Sequence, residues 1–339
     1  MTVLADRHQA DLFYSLQILF EDRLGERVVT PVGPEWWEQG YWRFGEVWGD
    51  DRLARQYLTI DARWEPLACG LYRTFDPAHP ERDIRGVTLD GLRQQRVPPD
   101  YVLATVQENQ AGFARLAREI DARYLYGVGN TAQQIDWSLD PLALVSAEAP
   151  IVGRGVRLHQ EFDSADTFRF REPGPLHRMR LASSFVNCMP AIACWPTLLA
   201  YQAALPEFDF RVHGIDGPDG NLHPVQAIAD AMAASMFGWH DKEHGDGFGH
   251  VLHNWAAVGR PLIGHASHYA GRMGAALWQD GVTCIDLDQR TMSENVALIR
   301  AIAADPDRHA EMCHAIRRTF DVLVDWEQEA AAVRRLLEA

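Results

Sequence analysis

The stretch FGWHDKEHGDGFGHVLHNWAAVGRPLI, residues 237–263, decides the fold. Its apolar start reads as a strand ending at Trp239 and His240. A polar turn follows, with Asp241, Lys242, Glu243 and His244, and then Gly245, Asp246, Gly247, Phe248 and Gly249 lead into a helix. Glycines let backbone approach a ligand closely. A helix N-terminus offers unpaired N–H groups and a partial positive charge. Lys242 adds a full charge, and it is the only lysine among 32 strong cations. In so Arg-rich a chain, a surviving lysine marks a place where a compact ammonium serves better than a planar guanidinium; the plain alternative is chance retention. A strand, a glycine turn, a cation and a helix start are together the parts of a diphosphate site.

Outward from this stretch the same α/β rhythm appears twice. Strands are expected at 3–6, 26–32, 56–60, 101–106, 122–128 and 142–147, with helices at 10–24 and 111–121. Residues 148–180 break the rhythm with Gly153, Gly155, Pro173, Gly174 and Pro175 and read as a linker. The rhythm restarts with strands at 179–186, 208–214, 236–240, 261–264 and 282–286. Helices are expected at 191–204, 223–235, 248–258, 269–279 and 291–304, with one long helical stretch over 307–338. Strands alternating with helices imply parallel sheets covered on both faces. The fold class is α/β, with two Rossmann-like domains facing each other across a cleft. Ligands of such sheets sit at the carboxyl ends of the strands.

With 339 residues the chain suits two cores better than one. A net charge of −15 counts against strong non-specific binding to nucleic acid. Five cysteines without paired spacing argue against a disulfide framework and for a reducing compartment. The start, MTVLADRHQAD, lacks the pattern of a signal peptide, and no run of about 18 apolar residues would span a membrane. A cytoplasmic location is expected (host cytoplasm if the chain is viral). The oligomeric state is not written in the sequence.

Residues 246–263 resemble the donor-binding motif of the group-1 GT-B glycosyltransferases, the retaining Glu-x7-Glu type, roughly Glu-Gly-Phe-Gly-x-x-x-x-Glu-Ala-x-Ala-x-Gly-x-Pro-Val-Ile. Gly247-Phe248-Gly249, Ala256-Ala257 and Gly259-Arg260-Pro261-Leu262-Ile263 match it, while Asp246 and Asn254 stand where the two glutamates are expected. The resemblance implies that Asp246 contacts the donor sugar and Asn254 the ribose. Eight residues of helix, about 12 Å, suit a diphosphate between two sugars. Both acids are altered, which leaves the sugar and the stereochemical outcome open. LHQEFDSADTFRF at 158–170 is similar to the family's interdomain segment, with Phe168 as its anchoring aromatic. The terminal helix, through Phe320, Trp326 and Leu336, resembles the one that crosses back onto the first domain. The implied organisation is an acceptor domain at 1–150, a linker at 151–178, a donor domain at 179–310 and a crossover helix at 311–339. The implied co-substrate is a nucleotide-diphosphate sugar, UDP-sugar first, with no cofactor required and no metal.

Each site residue has a plainer alternative. Asp246 could be a helix N-cap. His240, at a strand's carboxyl end, could bond a phosphate or simply pack. His244, His250, His253, His265 and His268 complete a histidine-rich region, but the spacings are not those of a zinc protease and no metal is assigned. In the first domain, His8 follows a strand, Asp11 lies one turn on and could orient it, and Glu108 follows another strand. Either His8 or Glu108 could deprotonate an acceptor hydroxyl; as plain structure they are caps and a solvated acid. The aromatic loop at 31–51 offers Trp36, Trp37 and Trp42 for stacking on a sugar or a base, against a loop tucked onto its own domain. GVGNTA at 127–132 lacks the third glycine of a dinucleotide fingerprint and reads as a strand-edge turn.

The expected activity is therefore transfer of a sugar to a hydroxyl acceptor. Compact GT-B enzymes of bacteriophages modify hydroxymethylpyrimidines in DNA, so modified DNA is one option for that acceptor. A sugar-nucleotide epimerase or hydrolase of the same fold, or a non-catalytic nucleotide-sugar-binding protein, are the alternatives.

Overall fold

The computed structural model describes residues 1–8, 10–43, 58–76, 79–94, 98–129, 133–147, 149–160, 165–186, 194–243 and 249–339. The chain divides into two units, one of Met1–Glu161 with Trp326–Ala339, the other of Phe162–Asp325.

The first unit contains β1 (Thr2–Ala5), α1 (Ala10–Gln17), β2 (Arg27–Pro31), α2 (Glu35–Glu38), β3 (Glu65–Pro66), β4 (Leu71–Asp76), β5 (His79–Val87), α3 (Leu89–Gln94), β6 (Tyr101–Ala104), α4 (Gln110–Glu119), β7 (Arg123–Val128), β8 (Leu142–Val145) and β9 (Gly155–Arg157). Its sheet runs in the order β3-β4-β5-β2-β1-β6-β7-β8-β9. From β5 onward every neighbouring pair is parallel; β3, β4 and β5 pair antiparallel. The central strands are apolar runs because both faces of a parallel sheet are covered. All four residues of β6 and of β8 are buried. Trp36, Trp42, Phe113 and Tyr126, all fully buried, fill the core with them.

The second unit contains β10 (Arg180–Ser184), α5 (Trp195–Ala204), β11 (Phe210–Val212), α6 (Val225–Ala233), β12 (Ser235–Trp239), α7 (His250–Val258), β13 (Leu262–Gly264), β14 (Cys284–Asp286), α8 (Met292–Ala303) and α9 (Pro306–Leu323). Its sheet is parallel throughout in the order β11-β10-β12-β13-β14. The helix starts are written in local chemistry. Thr291 and Glu294 form a reciprocal capping box on α8. Asp305 accepts from the Arg308 N–H at 3.0 Å at the head of α9, with Pro306 in its first turn.

The last helix, α10 (Trp326–Glu338), belongs to the first unit. The Tyr101 hydroxyl donates to the Leu337 carbonyl at 2.9 Å, Arg123 donates to the same oxygen, and His159 bonds Glu329. The single helix expected over 307–338 is therefore two, separated at Val324 and Asp325, where Val324 is extended. Neither residue is a glycine or proline, so the sequence gives no local sign of the break.

Three other expectations change. Residues 58–60 carry no strand, and 56–57 lie outside the described residues. The β4–β5 pair, which replaces that strand beside β2, is rich in Arg, Asp and Glu and lacks an apolar run. Residues 269–279 form short turns, Ala266–Tyr269 and Met273–Leu277, instead of an α-helix; Gly271 between them has φ +73°. The first part of the expected linker contributes β9 to the first sheet, and Phe168 is fully buried in the second unit. Among the described residues, no helix is long and apolar enough to cross a membrane.

Candidate functional site

In the second unit the chain runs from β10 to β11, then returns past β10 to β12. That reversal is the switch point of an open parallel sheet, where ligands bind beyond the carboxyl ends of the strands. Three loops meet on that edge. His240 and Asp241 follow β12, His265 follows β13, and Cys194 ends the connection from β10, one residue before α5.

Asp241 is the centre of this edge, with a fully buried side chain. His265 Nδ1 lies 3.0 Å from Oδ1 and 2.9 Å from Oδ2 of Asp241, and His268 Nδ1 lies 3.1 Å from Oδ1. The two imidazoles remain 23% and 20% exposed, their ring centres 5.0 Å apart. Burial alone would raise the Asp241 pKa, but hydrogen bonding and charge from His265 hold it below the usual carboxylate value. The bond to Asp241 raises His265 above the ordinary imidazole value. Burial, then the charge of Asp241, pushes the Cys194 thiol up to about 12.

His240 is fully buried, and its backbone N–H donates to the Ile263 carbonyl at 3.1 Å. Its ring centre is 5.8 Å from that of Tyr269, which itself stacks on Trp278. Lys242, half-buried, follows at the strand's end. Residues 244–248 lie outside the described residues, so Gly245, Asp246, Gly247 and Phe248 are not placed. The helix expected after them is present: Gly249 is extended at its N-cap, and α7 begins at His250.

α7 is buried from Leu252 to Val258. Two glycines make this possible. A Cβ on Gly238 would lie 2.5 Å from the Trp255 ring, so β12 and α7 approach closely only because Gly238 has none. Gly259 ends the helix in the left-handed region, φ +78°. The next residue, Arg260, is 1% exposed. Its guanidinium donates to the carbonyls of Arg171 at 2.7 Å, Ala233 at 2.9 Å and Gly259 at 3.1 Å, so a cation serves backbone oxygens at the ends of α6 and α7. Asn254, expected at a ribose, is 2% exposed, and its Oδ1 meets His253 Nδ1 at 3.1 Å. It is an interior residue in this structure, because the helix carrying it is covered on every side.

In the first unit the carboxyl edge is built differently. Asp6 follows β1 and is fully buried. It accepts from the Thr105 N–H at 2.9 Å, the Thr105 hydroxyl, Asn109 Nδ2 at 3.1 Å and the His8 N–H at 3.2 Å. Burial raises its pKa, against the pull of His8, Thr105 and Asn109. His8 is half-buried and stacked near Trp42, with ring centres 6.3 Å apart. Burial lowers its pKa, while Asp6 and then Glu108 raise it, so the ring is neutral at pH 7. The acid coupled to His8 is thus Asp6 and, more weakly, Glu108. Asp11 lies in the first turn of α1, and its side chain is outside the described residues.

Two of the three tryptophans offered for stacking are core residues. Trp36 is fully buried and its indole N–H donates to the Val87 carbonyl at 3.1 Å; Trp42 is fully buried as well. Trp37 is half-buried and lines a surface pocket with Pro34, Glu38, Leu58, Thr59 and Ile60. Sequence reasoning missed Asp6 and Asp241 as organising groups. A single acid after a strand carries no local signal, and the partners of Asp241 lie 24 and 27 residues on.

No protein-family model matches the sequence, nor does any curated protein. Solved structures do match in fold over essentially the whole chain. HepE of Anabaena, in complex with UDP and glucose, superposes with a TM-score of 0.62 at 12% identity, covering 100% of this chain and 99% of that one. An α-glucosyltransferase in complex with UDP and a 13-mer DNA containing a HMU base gives 0.62 at 7% identity, with the same coverage. Sucrose-phosphate synthase of Thermosynechococcus elongatus gives 0.63 at 12% identity, covering 99% and 98%. The chain has the GT-B fold, the two-sheet α/β architecture of these glycosyltransferases.

Proposed function

We propose that the chain is a glycosyltransferase that moves a sugar from a nucleoside diphosphate to a hydroxyl acceptor. The observation that carries this is the whole-length likeness in fold to glycosyltransferases of which two are bound to UDP. The second unit is the donor unit on this reading. Lys242 beyond β12 and the N–H groups at the head of α7 meet the diphosphate and stabilise it as it leaves; Asp246 contacts the donor sugar. His240, fully buried, shapes the floor of that edge. The first unit holds the acceptor. His8, neutral at pH 7, is the base, and Glu108 tunes it.

Uridine is the first choice of nucleotide, because HepE is complexed with UDP-glucose as well as UDP. Modified DNA is a second reading for the acceptor, favoured by the α-glucosyltransferase bound to HMU-containing DNA. In this chain Trp37, not Trp36 or Trp42, is the stacking residue for such a base.

Thermal shift against UDP, UDP-glucose and GDP tests the donor reading. A ligand at 100 times its Kd adds about 2.7 kcal/mol to stability, so UDP-sugar should raise the melting temperature by several degrees. No shift with any nucleotide sugar would overturn the assignment. Incubation with labelled UDP-sugars and either small sugars or DNA bearing 5-hydroxymethyluracil then separates the two acceptors.

A further inference from the structure

We propose that Cys194, Asp241, His265 and His268 form a zinc site that ties together the loops following β10, β12 and β13. The sequence reading assigned no metal; the geometry points to one, independently of any donor chemistry.

The ligand atoms of these four residues all lie within 4.8 Å of one another. Tetrahedral zinc with bonds of about 2.0–2.3 Å holds its ligands roughly 3.3–3.7 Å apart. The two imidazole nitrogens already stand 2.9–3.1 Å from Asp241 oxygens, so a small expansion reaches that spacing. Both Nδ1 atoms approach the same oxygen, Oδ1, so both imidazoles and the carboxylate face one small volume.

The donor set selects the metal. One sulfur, two imidazole nitrogens and one carboxylate oxygen suit zinc, whereas calcium and magnesium take oxygen ligands. Four protein ligands close the coordination sphere, which is the form of a structural site, not a catalytic one. Charge agrees as well. Asp241 is wholly withdrawn from water, and a buried carboxylate requires compensation. A dication with one carboxylate and one thiolate makes the site neutral. The thiol loses its proton to solvent when the metal takes its place.

The turn that carries the histidines is held from behind. The Ala266 N–H donates to Asp286 Oδ1 at 3.0 Å and the Ser267 N–H to Asp288 Oδ2 at 2.9 Å. These bonds fix the backbone between His265 and His268 before any metal arrives. Because Asp241 directly precedes Lys242, the metal also fixes the chain at the end of β12.

The test is metal content. The purified chain is incubated with excess zinc, desalted and analysed by mass spectrometry for metal per protein. One zinc per chain is expected, falling to background in a Cys194→Ser, His268→Gln double variant that keeps the circular dichroism of the parent. Cobalt substitution gives a second readout: a thiolate-to-cobalt charge-transfer band in the near ultraviolet, present in the parent and lost in Cys194→Ser. Cys284 and Cys313 are fully buried elsewhere in the unit and remain in that variant. Substoichiometric zinc in the parent, or a cobalt band that survives Cys194→Ser, overturns the proposal. Should the double variant fail to fold, the cobalt spectrum of Cys194→Ser alone decides.

Discussion

Each unit places one wholly buried aspartate beyond a central strand of its sheet, Asp6 after β1 and Asp241 just past β12, and the two are satisfied by opposite kinds of partner. Around Asp6 are fixed donors: two backbone N–H groups, a hydroxyl and a side-chain amide. None of them titrates in the physiological range, and the first unit uses the carboxylate as a brace between β1 and the start of α4. Around Asp241, besides the His265 backbone N–H at 3.3 Å, are two mostly buried imidazoles and a thiol, groups whose protons can be exchanged for a cation. The same residue type, burial and place in the fold thus give a rigid joint in one unit and an adaptable centre in the other. Burial does not set the role of such a carboxylate; the chemistry of its partners does.

That contrast can be broken most directly at Asp6. Asp6→Ala leaves the Thr105 N–H, the Thr105 hydroxyl and the Asn109 amide buried without an acceptor. At about 1–3 kcal/mol for each orphaned group, the first unit should lose roughly 3 kcal/mol or more, read as a lower urea midpoint. Asp241→Ala, measured with a chelator present, should cost about 1–2 kcal/mol, since its imidazoles can turn to water. Equal losses for the two variants would show that the partners make no difference.

Lys242→Ala bears on the use of the adaptable edge. A charge-assisted contact to phosphate contributes roughly 1.5–3 kcal/mol, so UDP affinity by calorimetry should fall about tenfold to a hundredfold, with the melting temperature of the free protein little changed. Unchanged UDP affinity would remove the diphosphate from this edge. The smallest effect is expected at Glu108→Gln. His8 has a lowered pKa, and the negative charge of Glu108 acts to raise it. Removing that charge lowers it further. The acid limb of the rate profile, where His8 protonates, should move to lower pH, and a shift the other way would exclude His8 as the base.

How legible all this was in the sequence depends on the range of the interaction. The glycine-led start of α7, and α7 and α8 themselves, lie where the spacing predicts them, most of the apolar runs are parallel strands, and Thr291 and Asp305 cap α8 and α9; each of these is decided within a few residues. Of the two readings of the aromatic loop, stacking or packing onto its own domain, Trp36 and Trp42 follow the second; composition shows a large apolar face but not which way it points. Trp36 points inward to a carbonyl 51 residues away. The spacing at 269–279 predicts a helix because its apolar residues outweigh Gly271 and Gly274, yet the segment forms short turns. The Asp241 centre was invisible since its four members come from three separate loops, and no window of sequence holds them together.

The placement of α10 has a consequence for how the chain is made. The second unit is continuous, Phe162–Asp325, while the first is split, Met1–Glu161 with Trp326–Ala339. Synthesis runs from the N-terminus, so the first unit emerges early but lacks the helix whose Leu337 carbonyl receives Tyr101 and Arg123. The second unit can complete its fold while its elder neighbour still waits for that helix. A chain that stops at residue 325 holds every residue of the second unit but leaves the first without its last helix, so the two units depend differently on the end of the sequence.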